Sequence, residues 1–132
     1  MDYTSPLEVF EAVDTLEADV SQRLRALSEA LASARPFATS LLRDQERHRA
    51  ARTRLRRRMG LEPAGAPRAD ARNLLSLGDL RTAQEALVHA HAEGLVAIGD
   101  ETAVDTLARH MVDLSRHLTV IDLWIEAEES RG

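Results

Sequence analysis

An all-α four-helix bundle is the fold class this sequence predicts, and three observations predict it. The first is composition: 132 residues include 21 Ala and 19 Leu but only four aromatics, a balance that favours helices over strands. The second is spacing, because apolar residues recur at alternating steps of three and four along two segments and, more sparsely, share one side of two others, as on one face of a helix. The third is the placement of breakers, with Pro6, Pro36, a cluster from Gly60 to Pro67, and Gly99 standing between those segments. At 44% apolar and 30% charged, residues 1–132 read as one globular domain able to bury a single core.

The first helix is expected over about 6–34. Thr4 and Ser5 can cap it, Pro6 suits its first turn, and Phe10, Val13, Glu17, Val20, Leu24, Leu27 and Leu31 form its stripe. The second is expected over 37–59, between Pro36 and Gly60, with Phe37, Leu41, His48, Leu55 and Met59 on one face. The third, 79–98, is the weakest, carrying Leu80, Leu87, Gly94 and Ile98. The fourth, 101–128, has an unbroken row of Val104, Leu107, Met111, Leu114, Leu118, Ile121 and Ile125. Short links inside the first and last helix pairs predict two antiparallel hairpins. The roughly 19 residues of 60–78 exceed what a tight turn needs. At about 3.3 Å per extended residue they can span the ~36 Å of a 24-residue helix, so they predict a crossover along the bundle.

The two hairpins also share a motif. Helix 2 contains Asp44-Gln45-Glu46-Arg47-His48 and helix 4 contains Asp113-Leu114-Ser115-Arg116-His117, both of the form D-x-x-R-H. With this repeat and two hairpins joined by a long link, the chain resembles the ferritin-like superfamily over roughly residues 7–128. Di-iron members of that superfamily carry Glu-x-x-His on two helices and a Glu on each of the others. The resemblance implies Glu17 as the helix 1 ligand, Gln45 and His48 on helix 2, Gln84 on helix 3, and Leu114 and His117 on helix 4. Of four expected carboxylates one, Glu17, survives. Gln carries no charge and Leu offers no donor, so the inherited set fits two iron ions poorly. Asp44 lies close enough to the inward face to contribute, whereas Asp113 is expected to point away.

Glu17 is the one charge in an apolar stripe, and a buried carboxylate is costly unless paired. His48 is the partner expected from matching depth along antiparallel helices, with Gln45 and Gln84 satisfying the remaining polar atoms. His91 and His110 also face inward, so Glu17, His48, His91 and His110 form an alternative ligand register that would suit zinc or iron. Residues 43–58 hold eight Arg against Asp44 and Glu46, a local charge of +6 in a chain of net charge −5. Residues 1–20, six acids and no base, are expected to lie beside them and compensate.

No cysteine is present, which removes disulfides, thiolate metal sites and cysteine nucleophiles. No P-loop lysine follows the glycines of 60–67, no apolar run approaches a membrane span, and the acidic N-terminus does not read as a signal peptide. The expected function is a ferritin-like protein that has lost its di-iron site, binds no cofactor and serves as a cytoplasmic structural or interaction module. The alternatives are a protein or oxidoreductase using iron or zinc at Glu17, His48 and His117, or at the His91 and His110 register, and a polyanion or nucleic-acid binder using helix 2. Leu42, Leu123 and Trp124 fall outside the stripes, so a homodimer is expected.

Overall fold

The computed structural model describes residues 3–61, 65, 67 and 69–131. The described residues form four α-helices, α1 (Pro6–Ala30), α2 (Arg35–Arg58), α3 (Leu77–Ile98) and α4 (Glu101–Arg131), with one 3-10 turn at Ala32–Ala34. Of the expected crossover, Glu62, Pro63, Ala64, Ala66 and Arg68 lie outside the described residues.

Local chemistry sets each boundary. Ser5 Oγ accepts the Glu8 N–H at 3.3 Å, while the Glu8 carboxylate accepts from the Thr4 hydroxyl at 2.7 Å and the Thr4 N–H at 3.2 Å. These reciprocal bonds satisfy N-terminal donors as a capping box does. The expected break before Pro36 falls earlier, at Leu31, whose φ of −129° and ψ of 114° are extended. Pro36 instead lies inside the first turn of α2, where its missing N–H costs nothing and its fixed φ favours helix. At the other end of α2, Gly60 has φ +70°. The Gly60 N–H donates to Arg57 O at 3.2 Å and the Leu61 N–H to Arg56 O at 2.9 Å, a Schellman closure. Ser76 caps α3 by accepting the Asp79 N–H at 3.1 Å. Gly99, φ +70°, ends that helix, and Asp100 accepts the Ala103 N–H at 2.9 Å to start α4.

Packed helices meet in opposite directions. On α1 and α2, Asp14 pairs with Arg56, Glu17 with Arg52 and Ser21 with Gln45. On α3 and α4, Arg81 pairs with Asp122 and Gln84 with the Leu114 carbonyl. Between α1 and α3, Val9 packs on Gly94, and Arg23 bonds the carbonyls of Arg72 and Asn73 just ahead of α3. Between α2 and α4, Asp44 meets His117 and His48 meets Asp113. The Gly94 contact is very close: a Cβ there would stand 2.5 Å from Val9 Cγ1. The apolar core is carried by Phe10, Leu24 and Leu27 of α1, Leu80 and Leu87 of α3, and Leu107, Leu114 and Ile121 of α4, all fully buried. Among the described residues no helix is long and apolar enough to cross a membrane.

Candidate functional site

The inward rows of all four helices turn polar part-way along. On α2 the buried row is Leu41, Gln45, His48, Arg52 and Leu55, a helical spacing filled by polar residues at its centre. Glu17 interrupts α1, Gln84 and His91 interrupt α3, and His110 and His117 interrupt α4, and all of them are buried. Since isolated polar groups in such places cost several kcal/mol, the pairing inside this layer bears directly on stability.

Glu17 binds Arg52, where the sequence reading expected His48. Both guanidinium NH groups donate to the carboxylate, Nη1 to Oε2 at 3.0 Å and Nη2 to Oε1 at 2.6 Å, while Arg52 Nε donates to Asp14 Oδ1 at 2.9 Å. Asp14 also accepts from Arg56 at 3.2 Å, and the Arg56 guanidinium lies 5.5 Å from the Phe10 ring centre. A bidentate fork is the strongest geometry open to a carboxylate. Burial works against the Arg52 charge, but the Glu17 bonds outweigh it and hold its pKa above the ordinary value. Sequence reasoning missed Arg52 because it lay in a run of arginines. Its spacing of four from His48 was the available signal.

The repeated D-x-x-R-H motif is a clasp between α2 and α4. His48 Nε2 donates to Asp113 Oδ2 at 2.9 Å, and His117 Nε2 donates to Asp44 Oδ2 at 2.8 Å. Within each copy the Asp also faces its own Arg: Asp44 bonds Arg47, and Asp113 lies 4.0 Å from Arg116. Each motif thus completes the other. Asp113, expected to point away, reaches His48 because the flank of α4 lies against α2. Burial works to raise the Asp44 pKa, but the His117 and Arg47 bonds prevail and hold it below the usual carboxylate value.

His48 and His110 stack with ring centres 4.0 Å apart, and His117 lies 6.5 Å from His48 with its plane 18° away. His91 Nδ1 donates to Leu87 O at 2.9 Å, so its Nε2 carries the lone pair. Burial, aided by Arg52 and His48, pushes the His91 pKa down to about 4. Burial and the neighbouring His48 and His91 push His110 down to about 3. Burial also takes His48 below its ordinary value despite Asp113. These three imidazoles are therefore neutral at pH 7. His48 Nδ1, His91 Nε2, His110 Nδ1 and His117 Nδ1 are buried without a partner. Ser21 donates to Gln45 Oε1, leaving Gln45 Nε2 unpartnered, and Gln84 Nε2 donates to Leu114 O at 2.9 Å.

The donors do not fit a di-iron centre. Of the four positions where the resemblance implies a carboxylate, one, Glu17, has it, and Arg52 already holds it in two bonds. Asp44 binds His117 and Arg47. Among the described residues no three His, Asp or Glu side chains are disposed to hold one metal ion. That applies to Glu17, His48 and His117, and to the register with His91 and His110. Compared with known proteins, the chain matches no family model, no curated protein and no solved structure.

Proposed function

We propose that this is a ferritin-like bundle in which a protein cation has replaced the di-iron centre, and that it acts as a structural or interaction module without catalytic metal. The observation carrying the reading is Arg52, a residue 1% exposed, whose guanidinium binds both oxygens of the one carboxylate left at the positions the resemblance implies. A fixed positive charge there supplies the neutralisation that an ion would otherwise bring. Support for the topology comes from the helix directions. Because α1 runs opposite to both α2 and α3, the latter two run parallel, and a connection between parallel helices must return along the bundle. Ala71 and the carbonyls of Arg72 and Asn73 bond Gln22 and Arg23 on α1, as a crossover laid on that helix would.

The test is elemental analysis of protein purified without an affinity tag, joined to thermal unfolding with added iron(II), zinc(II) or chelator. Substoichiometric metal and an unchanged Tm are expected. Stoichiometric iron or zinc with a raised Tm would overturn the reading. It would favour the second one, a metal protein using iron or zinc, for which the four unpartnered imidazole nitrogens speak. The proposal includes a homodimer through the exposed flank of α4, where Val112, Val120 and Leu123 are 50%, 37% and 59% exposed.

A further inference from the structure

Four of the nine arginines of α2 have an acidic partner. Arg47, Arg52, Arg56 and Arg58 each meet a carboxylate. For Arg43 and Arg49, no ion pair occurs among the described residues, and Arg25 of α1 is likewise without one. These three are exposed, yet they do not point to scattered parts of the surface. All three line one cleft of about 370 Å³ between α1 and α2. A second cleft, of about 300 Å³, continues from it past Arg25 and Arg49 to Pro67 and Ala69. Ser21 lies opposite Gln45 on antiparallel helices, so Arg25, one turn further along α1, stands close to the level of Arg43. Like charges gathered this way repel unless an anion joins them.

Two acidic residues also line the first cleft, Glu17 and Glu46. Glu17 is neutralised by Arg52, and Glu46 offsets one of the three arginines, leaving a surplus of two positive charges. The wall also includes Ser21 and the buried Gln45, whose Nε2 is a donor without an acceptor. We infer that this cleft binds the phosphate group of a small phosphomonoester. A phosphomonoester carries close to two negative charges at neutral pH and presents several acceptor oxygens, matching guanidinium forks that bind phosphate in pairs of hydrogen bonds. The volume falls within the roughly 300–1,000 Å³ of small-ligand sites. A nucleic-acid backbone carries one charge per phosphate and needs an extended basic track, whereas here Asp14, Glu17 and Glu46 interrupt it.

The experiment is calorimetric titration of the full chain with inorganic phosphate and with ribose 5-phosphate at constant ionic strength, beside a 20-base-pair DNA duplex. One saturable site is expected for both phosphate probes. Arg25→Gln, Arg43→Gln and Arg49→Gln should each weaken it roughly tenfold, with helical circular dichroism unchanged because all three residues are exposed. Arg54→Gln and Arg57→Gln serve as controls: both are exposed α2 arginines outside the cleft, and they should leave affinity unaltered. Three results overturn the inference. These are no saturation by either phosphate probe at about 1 mM, equal losses in the control variants, and DNA binding without monoester binding, which would assign these arginines to a nucleic-acid backbone.

Discussion

Arg52 is the residue on which the polar layer turns. Three of its N–H groups serve Glu17 and Asp14 from α1, so one side chain of α2 holds the buried Glu17 and shares Asp14 with Arg56. Breaking such a pair typically costs about 3–5 kcal/mol because the surviving charge stays behind. Glu17→Gln should therefore lower unfolding free energy by about 3 kcal/mol in urea titrations. Replacing both partners, Glu17→Leu with Arg52→Met, should recover much of that loss, since the charge is removed along with its partner. His91 gives a different handle. Its folded pKa of about 4 lies below the ordinary 6.5, so the unfolded chain takes up the proton first as pH falls. Its contribution is complete above about pH 6.5 and declines to about pH 4, by about 3 kcal/mol at the acid end. Urea midpoints measured at pH 7, 5.5 and 4.5 should fall in that order, and His91→Leu should flatten the slope.

At the scale of helices, close approach and charge clasps do different work. The α1–α3 contact depends on Gly94, because a Cβ there would press on the fully buried, β-branched Val9 at 2.5 Å. Ala at position 94 would gain about 1 kcal/mol of helix propensity and lose about 1–3 kcal/mol to overpacking. Gly94→Ala should then lower Tm, and the smaller Val9→Ala partner should restore part of it. The α2–α4 contact adds two Asp–His bonds to the Phe37–Trp124 and His48–His110 ring contacts. Asp113→Ala should destabilise by about 1–3 kcal/mol, since the buried His48 Nε2 loses its acceptor. Asp113→Asn, which can still accept, should cost less. Equal losses for the two variants in thermal melts would show that His48 does not depend on this oxygen.

For the molecule as a whole, two surfaces stand out among the described residues: the arginine cleft between α1 and α2, and the apolar flank of α4. The sequence reading placed Leu42, Leu123 and Trp124 outside the core. Leu123 is exposed, whereas Leu42 and Trp124 are half-buried and Trp124 packs on Phe37 with ring centres 4.9 Å apart. Association through Val112, Val120 and Leu123 should appear as a dimer in sedimentation velocity at tens of micromolar. Leu123→Glu should return a monomer with unchanged helicity, and a wild-type monomer at high micromolar concentration would dispose of the dimer.

Periodicity and breakers, both local properties of the chain, determined four helices within a few residues of their ends and the inward direction of Glu17, His48, Gln84, His91 and His110, whereas Gln45 and His117, also buried, entered through the family resemblance. A stripe at 3.6-residue spacing states which side of a helix avoids water, and nothing outside the helix is needed to read it. The break at Leu31 escaped notice because Pro36 reads equally well as a stop or as a first-turn residue. Partners were decided only in three dimensions. Glu17 chose Arg52 over His48, and Asp113 reached His48, because pairing across helices depends on relative rotation and axial shift. A long guanidinium side chain can cross distances that an angular projection treats as separate. The repeated D-x-x-R-H was visible from the start, but its meaning, two copies each completing the other, required α2 and α4 to be brought together in opposite directions.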